Sequence, residues 1–163
     1  MGETAPPVID SRAAFRAALL WGFGSAFDEG ARRIVCADAH FAEWPLEDAG
    51  LLAGLTAWMK RPQRRLVLLG AGFDVVQGRC PRFSAWRADW AHAVEAWQAS
   101  QDMAADLPTV LTCDRGASVH LIDALHWRGS ARQDERAARQ WCETLDVVLQ
   151  RSERAWAVRT LGL

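Results

Sequence analysis

A chain of 163 residues, half of them hydrophobic and about a quarter charged, has the size and composition of one globular domain, which excludes a disordered or fibrous protein. Its net charge of −1 leaves no basic excess, so neither general nucleic-acid binding nor an anionic membrane surface is expected. Cys36, Cys80, Cys113 and Cys142 include no Cys-x-x-Cys pair, which argues against zinc, and without a signal peptide or an apolar run near about 18 residues the expected compartment is the cytoplasm.

Met1 to Ile9, with Pro6-Pro7, reads as a loose lead-in. Asp10 or Ser11 can cap a first helix in which Phe15, Leu19, Phe23 and Phe27 recur every four residues as one apolar stripe, and Gly30 ends it. Gly22 and Gly24 each cost about 1 kcal/mol relative to Ala inside a helix, so tertiary packing must hold it. Arg33 to Asp38 is a short apolar run ending in an acid, as in a strand buried on both faces of a parallel sheet. Leu51, Leu52, Leu55, Trp58 and Met59 follow at helical spacing between Pro45 and Pro62, and Arg65 to Leu69 supplies a second buried strand closed by Gly70. These elements make one β-α-β unit and set the class: α/β, a single domain over residues 1–163, with a mixed, mainly parallel sheet covered by helices on both faces.

Pro81 then opens a long helix in which Phe83, Trp86, Trp90, Val94 and Trp97 step by three or four, a tryptophan stripe that reads as core. Pro108 to Asp114 and Ser118 to Leu125 are strand-like runs joined by a turn at Arg115-Gly116-Ala117. His126 to Ser130 leads into a last helix capped by Ser130, with Ala138, Trp141, Leu145, Val148 and Leu149 as its buried stripe. The tail from Ala155 to Leu163 has the alternation of a short edge strand or an extended arm.

Asp38, Asp74 and Asp114 each follow a predicted strand. Parallel strands bring them to one sheet edge, where α/β proteins place ligands and where carboxylates hold Mg²⁺. The plainer account is that strand ends and helix starts favour Asp for local hydrogen bonding. His40 follows Asp38 closely enough to suggest a proton-transfer pair. Gly70-Ala71-Gly72-Phe73-Asp74 lacks the third glycine of a dinucleotide turn, Val75 standing in its place, but resembles the first motif of methyltransferases that use S-adenosylmethionine. Arg82 at one helix start, with His126, Arg128 and Ser130 before another, forms a candidate site for a small anion drawn by helix dipoles and guanidinium donors. No catalytic or metal-ligating residue is assigned.

Together, the β-α-β opening, the Asp38 to Leu46 loop, the Pro81-Arg82-Phe83 helix start and the hairpin around Asp114 resemble one half of a phospholipase D-like fold, over nearly the whole chain. The resemblance implies a His-x-Lys-x4-Asp signature, in which the histidine attacks phosphorus, the lysine steadies the phosphate and the acid supports the site. With Asp114 on the motif's acid, Leu107 stands at the histidine position and Thr109 at the lysine position, and none of His40, His92, His120 and His126 meets the spacing. The expectation is a non-catalytic binding or interaction domain, a degenerate half of that fold, with no cofactor. Such halves pair across a pseudo-twofold axis, so a homodimer is expected, with a small anion or a protein as partner and no membrane insertion. The alternative is a small enzyme: a Mg²⁺-dependent one acting on a phosphate-containing substrate, or a methyltransferase using S-adenosylmethionine.

Overall fold

Ser11 caps α1 (Arg12–Asp28), its hydroxyl accepting from the backbone N–H of Ala14 at 3.0 Å, and Gly30 turns the chain out of the helix at φ +72°, a conformation that favours glycine. The computed structural model describes residues 5–157. β1 (Arg33–Ala37), α2 (Ala49–Met59) and β2 (Arg65–Gly70) form the expected β-α-β unit, with Ile34 opposite Leu66 in a parallel pair. Asp48 caps α2, accepting from Leu51 N–H at 2.8 Å.

The next segment departs from the expected long helix. After the short α3 (Asp74–Arg79), α4 (Pro81–Asp89) stops at Trp90, and Val94–Gln98 is a strand, β3, parallel to β2. Val94 and Ala96 are buried while Glu95 and Trp97 are half-buried, so this stretch follows a period of two. Phe83 and Trp86 lie in the core, Trp90 packs against the same core, and Trp97 packs on the opposite face of the sheet. The three tryptophans are therefore not one stripe.

A short α5 (Gln101–Ala104) precedes β4 (Thr109–Cys113) and β5 (Ala117–Asp123), which form the expected hairpin. Ser130 does not cap a helix. Arg128–Gln133 is a further strand, β6, paired antiparallel to β5, and the last helix, α6 (Glu135–Leu149), is capped by Asp134, which accepts from Arg136 N–H at 3.0 Å. β6 is polar apart from Ala131, and hydropathy alone does not mark such an edge strand. Ile9 bridges to Gly129 and is buried, so the lead-in is anchored at its end. The edge strand expected in the tail falls earlier, at β7 (Glu153–Arg154), antiparallel to β3; residues 158–163 lie outside the described ones.

Among the described residues seven strands form one sheet in the order β6-β5-β4-β1-β2-β3-β7. It is mixed, as expected, but not mainly parallel: β1–β2 and β2–β3 are parallel, and every other neighbouring pair is antiparallel. Short turns join β4 to β5 and β5 to β6 and require antiparallel pairing, while β4 and β7 enter beside non-consecutive strands and run against them. One face packs against α1, α2, α3 and α4 around Phe15, Leu19, Phe23, Leu55 and Phe83. The other packs a smaller core around Val35, Val67, Val110 and Leu145, beneath α6. The chain is a single-domain α/β fold, and among the described residues no helix is long and apolar enough to cross a membrane.

Candidate functional site

Strand direction decides which acids can meet. Asp38 and Asp74 follow the carboxyl ends of the parallel β1 and β2, but β4 runs antiparallel to β1 and delivers Asp114 to the opposite end. The expected edge of three acids does not form, and the Mg²⁺ reading loses the geometry it needs. Asp114 instead secures the start of β1, its Oδ1 accepting from the backbone N–H of Arg32 at 2.9 Å and of Arg33 at 3.3 Å. Asp38 is committed to its own loop: Oδ1 accepts from Ala39 N–H and the Thr109 hydroxyl, each at 2.8 Å, and Oδ2 from the Trp44 indole at 3.0 Å. Asp74 and His40 are exposed. Among the described residues no group of three or more His, Cys, Asp or Glu is placed to hold a metal.

The Gly70 to Asp74 turn is closed too. Ala71 and Gly72 both donate their N–H groups to the Ala39 carbonyl, at 2.9 and 3.3 Å, and the rings of Phe41 and Phe73 lie against Gly70. The amides that a cofactor's carboxylate would need are already used. Burial holds the Cys36 thiol well above its ordinary range and pushes that of Cys113 up to about 11, so neither serves as a nucleophile at neutral pH.

The expected anion site does not converge. At the start of α4 the N–H groups of Arg82 and Phe83 donate to the Glu47 carboxylate at 3.2 and 2.9 Å, so this helix terminus holds an anion of its own chain. α4 packs on α2 through a 3.0 Å bond from the Trp86 indole to Thr56. Arg128 and Ser130 belong to β6, four strand positions from β2, on the order of 20 Å at the usual spacing. His126 turns back on Asp123, Nδ1 to Oδ2 at 2.8 Å, and this bond draws the Asp123 carboxyl below its ordinary range.

The structure instead gathers arginines at the amino ends of β1 and β2. Three connections meet there: the residues before Arg33, the turn from Lys60 to Arg64, and the hairpin turn at Asp114 to Gly116. Backbone bonds join them, from Arg65 N–H to the Arg32 carbonyl at 2.9 Å and from Asp114 N–H to the Arg33 carbonyl at 3.2 Å. Arg32, Arg61 and Arg115 are exposed and Arg64 half-buried, and none of the four forms an ion pair among the described residues. The Arg64 guanidinium is held below its ordinary range, first by burial and then by the like charges of Arg61 and Arg32, with Arg115 adding to them and Asp114 opposing. Its Nη1 donates to the Pro62 carbonyl at 3.0 Å, while its buried Nε has no partner among the described residues. Like charges held together in this way make a surface suited to a polyanion. Sequence reasoning missed it, although the signal is present. Arg32-Arg33 and Arg64-Arg65 are doublets at the starts of two strands predicted to be parallel, and Arg33 indeed sits opposite Arg65.

No family model matches the chain, and no curated protein matches it. Among solved structures it is similar to TrmBL2, an archaeal chromatin protein whose structure shows a novel mode of DNA binding: the TM-score is 0.59 at 14% identity, over 86% of this chain. The chain spans about half of that protein, 51% of its length. The likeness shows the fold. It also overturns the exclusion of nucleic acid drawn from net charge, because this fold occurs in a DNA-binding protein. Net charge sums the whole surface, whereas binding depends on where the charge lies.

Proposed function

We propose that this chain is a non-catalytic binding domain that engages the phosphate backbone of nucleic acid through Arg32, Arg61, Arg64 and Arg115. The observation that carries the reading is the gathering of these four side chains without a carboxylate partner among the described residues. Guanidinium groups not ion-paired keep donors for phosphate oxygens, and such contacts are independent of base sequence. The DNA binding of TrmBL2 supports this class of partner.

Leu107 and Thr109 at the nucleophile and lysine positions, with Asp114 bound to backbone amides, support a degenerate phospholipase D-like half that lacks phosphodiesterase chemistry. As in that family, the proposed working unit is a homodimer.

Fluorescence anisotropy with a duplex of about 20 base pairs should show binding at about 50 mM salt. The log-log salt slope should be roughly −3 to −4 per chain, as for about four phosphate contacts. Arg61→Gln combined with Arg115→Gln should reduce the slope by about 2 while leaving the urea midpoint in place. An unchanged slope in that double variant, or no binding at low salt, overturns the reading.

A further inference from the structure

α6 covers only part of its side of the sheet. Leu145 packs with Val35, Ala37 and Val110, and the Thr112 hydroxyl donates to the Ala138 carbonyl at 3.2 Å, so the helix centres on β4 and its flank reaches β5. The same face continues onto β5 and β6, where Ser118 pairs with Arg132 and His120 with Ser130. α6 reaches this strip only along its flank, where Trp141 stands beside His120. Between this polar floor and the flank of α6 lies a groove of about 330 Å³, walled by Gln140, Trp141 and Thr144.

The lining has a defined chemistry. Among the described residues it contains no carboxylate and its one full charge is Arg132, which forms no ion pair with any of them. Arg132 Nε donates to the Ser130 hydroxyl at 3.3 Å, which leaves the two terminal nitrogens available. In the same groove the His120 and Trp141 rings stand 4.6 Å apart at 60°, and Ile122, 66% exposed, joins the lining. The groove therefore presents a guanidinium and hydroxyls next to an aromatic and aliphatic surface that water covers poorly.

We infer that this groove is a binding site for a small carboxylate carrying a flat apolar body. A carboxylate matches the guanidinium fork in two parallel hydrogen bonds, a ring gains from stacking on Trp141, and the volume falls at the small end of ligand pockets, about 300–1,000 Å³. The inference does not rest on the nucleic-acid reading, because the groove and the arginine cluster share no residue.

The test is a titration of the isotopically labelled chain with benzoate and, separately, with inorganic phosphate, followed by amide chemical shifts. Benzoate at about 10 mM, enough to fill a millimolar site, should move the amides of Ser118, His120 and Ser130 saturably. Arg132→Gln should weaken it about tenfold, the effect of losing one charge-assisted contact. Trp141→Leu should weaken benzoate without weakening phosphate. Failure of benzoate to shift these amides, equal affinity for the two probes, or an unchanged benzoate affinity in a folded Arg132→Gln variant overturns the inference. Duplex binding by Arg132→Gln should equal that of the parent, so the two readings fail separately.

Discussion

Gly22 and Gly24 sit two residues apart in α1, on different faces of the helix, and have opposite reasons to be there. A Cβ on Gly22 would stand 2.6 Å from Leu111 Cδ2 and 3.0 Å from Val119 Cγ2, whereas one on Gly24 would meet nothing within 4 Å. Gly22 thus lets α1 press onto β4 and β5, and both neighbours it would strike are buried to 2% exposure or less, with little room to move. Gly24 contributes only the entropy penalty of a glycine in a helix. Changing either to Ala removes that penalty of about 1 kcal/mol, so the gain cancels when the two variants are compared. Gly22→Ala should be less stable than Gly24→Ala by about 1–3 kcal/mol, the usual cost of overpacking, and urea denaturation of the pair measures it. Equal midpoints would mean that α1 stands off the sheet. Both residues look alike in the sequence, and only the strands beneath them tell them apart.

Elements with strong local chemistry were legible in the sequence. Ser11, Gly30 and the apolar runs of β1, β2 and β4 mark their own ends, because capping, turn and burial preferences act within a few residues. β3 and β6 were not. The spacing Trp90, Val94, Trp97 satisfies a helix as well as a strand, and only pairing with β2 selects the strand, while β6 is a polar edge held by β5. The anion site drawn around Arg82 and Arg128 failed with them, since it assumed a helix at Ser130. Past α6 the chain is anchored by a side chain more than by its strand. The Trp156 ring stacks on Phe73 at 5.8 Å, stands 6.2 Å from Phe83 and lies 4.2 Å under the Arg87 guanidinium, whose Nη2 donates to the Trp156 carbonyl. β7 offers Arg154, 59% exposed, at 3.4 Å from Glu95. Trp156→Ala removes a ring from between two aromatics and bares a buried cation, and should destabilise by about 2–4 kcal/mol. Arg154→Ala removes an exposed arginine from Glu95, which keeps its bond to Arg65, and should cost about 0–1 kcal/mol. Comparable urea midpoints for the two variants would place the anchor in the strand instead.

Over the whole molecule, the quantities that sum along the chain misled and those that depend on placement did not show. A net charge of −1 conceals an arginine-rich end, and three strand-terminal acids are divided between opposite ends by the direction of β4. The same topology makes stability uneven across the sheet. β1, β2 and β4 are central, covered by helices on both faces, with Ile34, Val35, Val67, Leu68, Val110 and Leu111 all at 2% exposure or less. β6 has one strand neighbour along most of its length, an open groove on one face, and exposure at Arg128, Arg132 and Gln133. Opening β6 uncovers little apolar surface, while opening β1 requires both cores to separate. Native-state hydrogen exchange should therefore show the amides of β1, β2 and β4 exchanging only through global unfolding, with a denaturant dependence equal to the equilibrium m-value. The β6 amides that donate to β5 should exchange faster, by local opening with little denaturant dependence. β6 exchanging as slowly as β1, with the same denaturant dependence, would show instead that the edge is welded to the core and that the seven strands open as one unit.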